Sequence, residues 1–102
     1  MIKLDQHKKQ LLHKICKKHF VSNLFLFGSA VSDSFSATSD LDFAVLFSED
    51  LSPIQHGEAF FALKDDLEAL FLRKVDPVSY RVVKNPIFKR ELDETKVELY
   101  AA

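Results

Sequence analysis

The chain has 102 residues, with 14 Lys and Arg against 15 Asp and Glu, for a formal net charge of −1; 47% of its residues are hydrophobic and 28% charged. Those figures exclude two full domains, a disordered polyelectrolyte and a protein whose whole surface is a basic nucleic-acid footprint. They describe one domain over residues 1–102 that can bury about two-thirds of its potential surface, with ten Phe and no Trp supplying the large apolar volume. The single Cys16 excludes an intramolecular disulfide and a cysteine zinc cluster. No apolar run approaches the roughly 20 residues that span a bilayer. The start MIKLDQHKKQ lacks the apolar stretch of a secretory signal, so a cytoplasmic protein is expected.

In chain order, residues 3–20 place Leu4, Leu11, Leu12, Ile15, Cys16, His19 and Phe20 at helical spacing, which predicts an amphipathic first helix with its lysines on the other faces. The run 23–27 ends at Gly28 and suits a strand buried on both faces. A short helical turn and a loop follow over 29–39. A second strand runs over 41–47, with Asp40, Asp42, Ala44 and Leu46 on one face and Leu41, Phe43, Val45 and Phe47 on the other. Ser52, Pro53 and Gln55 form a helix start, and the helix carries Phe60, Leu63, Leu67, Leu70 and Phe71 on its apolar side. Residues 75–80 read as a third strand that Pro77 confines to an edge or a bulge. Asn85-Pro86 opens a last helix, and the alternation Val97, Leu99, Tyr100 closes the pattern. Strands alternating with helices make an α/β (α+β) fold, a small mixed sheet with flanking helices, in which function sits at strand ends.

The chemistry concentrates at such ends. Alternate strand residues lie about 6.5–7 Å apart, so Asp40 and Asp42 can converge on one cation or a close pair. Asp76 is a third carboxylate embedded in an apolar strand, and such groups are costly to bury unless paired or metal-bound. Mg²⁺ takes a few carboxylates, waters and phosphate oxygens, which is what this sparse set offers. Gly28 lets backbone approach closely, and Ser29 brings a hydroxyl and N–H groups for a phosphate. Together these residues suggest metal-assisted phosphoryl or nucleotidyl transfer. The bland alternative for Gly28-Ser29 alone is a turn.

The segment from Leu24 to Ser29 and on through Ser39-Asp40-Leu41-Asp42-Phe43 resembles the GS-x10-D-x-D signature of the DNA polymerase β-like nucleotidyltransferase superfamily. Val75-Asp76, Asn85-Pro86, Lys89-Arg90-Glu91 and the C-terminal Val97 to Tyr100 resemble its minimal nucleotidyltransferase (MNT) branch. The resemblance implies the polymerase β-like fold, with Asp40 and Asp42 holding two Mg²⁺ ions (or Mn²⁺) with ATP, and Asp76 sharing one ion and helping to deprotonate the acceptor. It also implies that Gly28 and Ser29 grip the β- and γ-phosphates. Minimal members typically act beside a helical HEPN protein as the antitoxin of a toxin–antitoxin pair, some by transferring AMP to a tyrosine of the partner. One departure stands out: Ser32-Asp33 replaces the Arg-Gly pair of many members, removing a cation from beside the triphosphate. That substitution favours the alternative of a catalytically weak module that neutralises a HEPN partner by occlusion.

The remaining features have simpler readings. Six Lys and one Asp in the first 19 residues leave an excess of +5, which can bind RNA but commonly marks a solvated face. His7, His13, His19 and His56 form no zinc-ligand spacing. Asp65, Asp66, Glu68 and Glu58 read as the solvated face of a helix. A Phe-rich sheet face is also compatible with a homodimer.

Overall fold

The computed structural model describes residues 4–31 and 40–102. Along the chain lie α1 (Gln6–Lys18), β1 (Val21–Phe27), a 3₁₀ turn (Gly28–Val31), β2 (Leu41–Phe47), α2 (Pro53–Phe71) and β3 (Val75–Ser79). A second 3₁₀ turn (Tyr80–Val82), α3 (Pro86–Thr95) and β4 (Val97–Ala101) complete it. The sheet order is β3-β2-β1-β4. β1 pairs antiparallel with β2 and β4, whereas β2 and β3 are parallel, joined through α2. The expected mixed sheet is therefore found, and β3 lies at an edge, where Pro77 needs no ladder partner on its outer side.

Local chemistry sets the helix ends. Asp5 caps α1 by accepting from the Lys8 N–H at 2.8 Å. Ser52 and Gln55 form a reciprocal capping box at α2, with bonds of 2.9 and 3.2 Å and Pro53 at the first turn. Asn85 accepts from the N–H groups of Ile87 and Phe88 at 3.0 and 3.1 Å, with Pro86 at the start of α3. The first helix is shorter than residues 3–20. It ends at His19, and Phe20 turns left-handed at φ 62° with 58% of its surface exposed, so it leaves the apolar stripe on which its spacing placed it. Tyr80 likewise falls outside β3 and opens the second 3₁₀ turn.

The two sheet faces are packed differently. Leu24, Leu26, Leu41, Phe43 and Val45 meet Leu12 and Cys16 of α1 and Leu63, Leu67 and Phe71 of α2, all of them buried. Burial pushes the Cys16 thiol up to about 12, so it is an inert core hydrophobe. On the opposite face Phe25, Ala44 and Leu92 are buried, while Phe27, Leu46, Val78 and Tyr80 are only partly covered. The predicted solvated face of α2 is corrected at two residues. Asp66 Oδ2 lies 2.6 Å from Nε2 of the buried His19, and Glu68 accepts from the Val75 N–H at 3.0 Å, so these carboxylates tie α2 to its neighbours.

Candidate active site

Alternation along β2 sends Leu41, Phe43 and Val45 into the two-helix core and leaves Asp42, Ala44 and Leu46 on the other face. Register then assembles the acids. Asp42 stands opposite Phe27 across the β1–β2 pair and opposite Asp76 across the β2–β3 pair, so Phe27, Asp42 and Asp76 form one transverse row on one face. Asp40 lies one residue before β2 and is exposed, and Asp76 is exposed as well. The Leu41 N–H donates to the Lys74 carbonyl at 3.0 Å and fixes the start of β2 against β3 beneath this row.

Asp42 is the most enclosed of the three acids. Its carboxyl is held above the ordinary range, first by burial and then by the negative charges of Asp76 and Asp40. All three carboxylates thus act on one region. Gly28 closes it: at φ 74° its backbone comes so near that a Cβ there would sit 2.5 Å from Asp42 Oδ2. Ser29 follows in the 3₁₀ turn, partly exposed.

Among the described residues no three His, Cys, Asp or Glu side chains close into a cage for a single ion. The donor set is nonetheless all carboxylate oxygen, open to solvent and electrostatically unbalanced. That fits hard divalent ions that complete their shells with water and phosphate oxygens. Ser32-Asp33, in place of Arg-Gly, lies outside the described residues.

Two features of the surroundings are not legible in the sequence. An apolar slot of about 580 Å³ opens between the end of β1 and α3, lined by Phe27, Gly28, Val31, Phe88 and Leu92. Tyr80 donates to Asp93 Oδ1 at 2.5 Å, and Lys96 bonds the same oxygen at 3.1 Å, which holds α3 over the sheet. The signals were the apolar pair Phe88 and Leu92, one turn apart, and the Phe at the end of β1. Neither indicates which strand α3 meets. A larger groove of about 970 Å³ lies at the other end of β1 and β2, beside Phe20, Val21, Phe47 and Ser48, and none of the three acids lines it.

Comparison with known proteins agrees with this architecture. The "Polymerase beta, Nucleotidyltransferase" family matches residues 9–102. The "Putative protein adenylyltransferase MJ0128" of Methanocaldococcus jannaschii is 34% identical over 91 residues, covering 89% of this chain and 85% of its own length. A solved "putative minimal nucleotidyltransferase" is 26% identical with a TM-score of 0.67, over 90% of this chain and 89% of that one. The same fold occurs in a complex of tri-AMPylated Shewanella oneidensis HEPN toxin with MNT antitoxin, at 21% identity and a TM-score of 0.61, over 97% of this chain and 74% of that one. No helix among the described residues is long and apolar enough to cross a membrane. The chain belongs to the polymerase beta nucleotidyltransferase family and falls on its minimal nucleotidyltransferase branch.

Proposed function

We propose that this chain transfers AMP from ATP to a hydroxyl of a HEPN-family helical partner, and so acts as the antitoxin of a HEPN/MNT pair. The observation that carries the reading is the row of Asp42 beside Asp76, with Asp40 close enough to raise the Asp42 carboxyl and Gly28 backbone packed against it. The adenylyltransferase relative and the AMPylated toxin in a complex of the same fold support AMP as the transferred group and a protein as the acceptor.

Asp40, Asp42 and Asp76 would hold two divalent ions, Mg²⁺ or Mn²⁺, which supply positive charge to the triphosphate and to the departing pyrophosphate. Gly28 and Ser29 hold the β- and γ-phosphates, the only place beside Asp42 where backbone lies bare of a Cβ. The partner's hydroxyl oxygen attacks the α-phosphorus and the bond to the bridging oxygen of pyrophosphate breaks. A carboxylate oxygen of Asp76, exposed at the sheet edge, receives the hydroxyl proton. An exposed Asp76 and Asp40 leave room for a macromolecular acceptor.

The test is transfer of label from α-phosphate-labelled ATP and Mg²⁺ in native lysate, with an Asp40→Ala/Asp42→Ala double variant as control. A labelled protein band that the variant does not produce is expected. Absence of any band, in lysate holding the unmodified HEPN partner, refutes the transfer and leaves the reading favoured by Ser32-Asp33, neutralisation by occlusion.

A further inference from the structure

The peptide unit that opens β3 is held from both sides. Its carbonyl, on Lys74, accepts the Leu41 N–H at 3.0 Å, and its N–H, on Val75, donates to Glu68 Oε2 at 3.0 Å. The described residues contain no cis peptide bond, so these two groups point in opposite directions. The carbonyl faces β2, and the N–H faces the edge of the sheet, where β3 has no second strand to pair with among the described residues. Pro77, two residues on, brings no N–H to that edge.

This unit lies among the acids. Leu41 separates Asp40 from Asp42, and Val75 precedes Asp76, which stands opposite Asp42 in the parallel register. The inner bond thus joins the two acid-bearing strands, and the outer bond ties them to α2. Glu68 also governs how the chain reaches this point. The link from α2 to β3 is only residues 72–74, and it opens with Leu72 in left-handed backbone at φ 54°, a conformation that disfavours a residue with a Cβ. The Glu68 carbonyl accepts the Leu72 N–H at 2.9 Å, so the backbone and the side chain of one residue hold the two ends of the link.

Resting on the nucleotidyl-transfer reading, we infer that Glu68 is the positioning residue for Asp76: by fixing the Lys74–Val75 peptide from the sheet edge, it keeps the third carboxylate in register with Asp42 for a shared divalent ion. It acts through its bond to Val75 and not through its charge. Glutamine, whose side-chain oxygen can accept the same bond, should therefore replace it, and alanine should not.

The experiment titrates Mn²⁺ to millimolar concentration into the wild type, Glu68→Gln, Glu68→Ala and Asp66→Asn, and follows paramagnetic broadening of the Asp42 and Asp76 amide signals. Amide hydrogen exchange at Leu41 and Val75 is read on the same samples. Alanine is the best helix former, so α2 survives the truncation, and Asp66→Asn cuts the tie of α2 to His19 without touching β3. Glu68→Ala should weaken Mn²⁺ binding about tenfold, the scale of losing a group that orients a metal ligand, and should speed exchange at Val75. Glu68→Gln and Asp66→Asn should bind Mn²⁺ as the wild type does. Wild-type affinity in Glu68→Ala, or an equal loss in Glu68→Gln or Asp66→Asn, would overturn the positioning role while leaving the acid site standing. A wild type whose Asp42 and Asp76 signals Mn²⁺ does not broaden would overturn the functional reading and the positioning role together.

Discussion

On one face of the sheet Leu24, Leu26, Phe43 and Val45 lie fully buried beneath two helices of 13 and 19 residues. On the other, Phe27, Asp42, Leu46 and Val78 lie, among the described residues, beside one 10-residue helix and are partly exposed. The first face can be read wholly as stability, because it has apolar side chains and inert groups such as Cys16. The second leaves a half-covered carboxylate row and an aromatic slot, features a packed core would have eliminated. The domain thus concentrates its apolar burial on one side and carries the residues of the proposed chemistry on the other.

Truncation of each face tests the division most strongly. Leu63→Ala, fully buried between α2 and the sheet, should destabilise the chain by about 3 kcal/mol or more in urea titration. Leu92→Ala should lower stability by only about 2 kcal/mol: Leu92 is itself buried, but it packs in the smaller cluster with Phe25 and Ala44 beside an open slot, where neighbours can relax into the space left behind. Equal losses would mean that the faces are packed alike.

Next in size is Gly28→Ala. A methyl 2.5 Å from Asp42 Oδ2, at a φ of 74°, forces the carboxylate to move and should destabilise the fold by about 1–3 kcal/mol. It should also reduce the proposed AMP transfer at least tenfold. An active, unperturbed variant would show that Gly28 is an ordinary turn residue.

The smallest expected effect is a pH dependence on the closed face. Asp66 titrates below the usual carboxylate range, chiefly through its bond to His19 and further through Lys18. A depressed folded value means that its stabilising contribution is full above the unfolded pKa of about 3.9 and is lost as pH falls through the lower, folded value. Melting curves of the wild type and Asp66→Asn should therefore differ near neutrality and converge in acid. A gap that persists at acid pH would remove the ionised Asp66 from the account.

The sequence carried the local parts of this structure. Two helix starts were legible because Asn85-Pro86 and the Ser52–Gln55 box satisfy their own backbone, whereas the apolar stripe of α1 showed a helix over residues 3–20 but neither its Asp5 cap nor its ends at Gln6 and Lys18. A period of two set Asp42 with Ala44 and Leu46 on one face of β2, whereas Asp40, expected on that face as well, lies one residue before the strand. Non-local geometry was hidden. Nothing in the chain order pairs Asp42 with Asp76 across a parallel ladder, sets Phe88 against Phe27, or brings Asp66 to His19, because each pairing depends on how far apart elements pack. Phe20 misled for a related reason: its spacing fits the α1 stripe, but the helix ends one residue before it and the chain turns left-handed.

The central claim is that the carboxylate row is kept against the interest of the fold, for chemistry. Asp42 is raised by burial and by its two acidic neighbours, so in its charged form it opposes folding at neutral pH, and this penalty disappears as pH falls below its unfolded value. The most direct measurement is the melting temperature of the wild type and Asp42→Asn at neutral pH, alone and with Mg²⁺ and ATP. The variant should melt higher than the wild type when alone, while Mg²⁺ and ATP raise the melting temperature of the wild type only. A variant that melts lower alone and gains as much from Mg²⁺ and ATP as the wild type would contradict the claim.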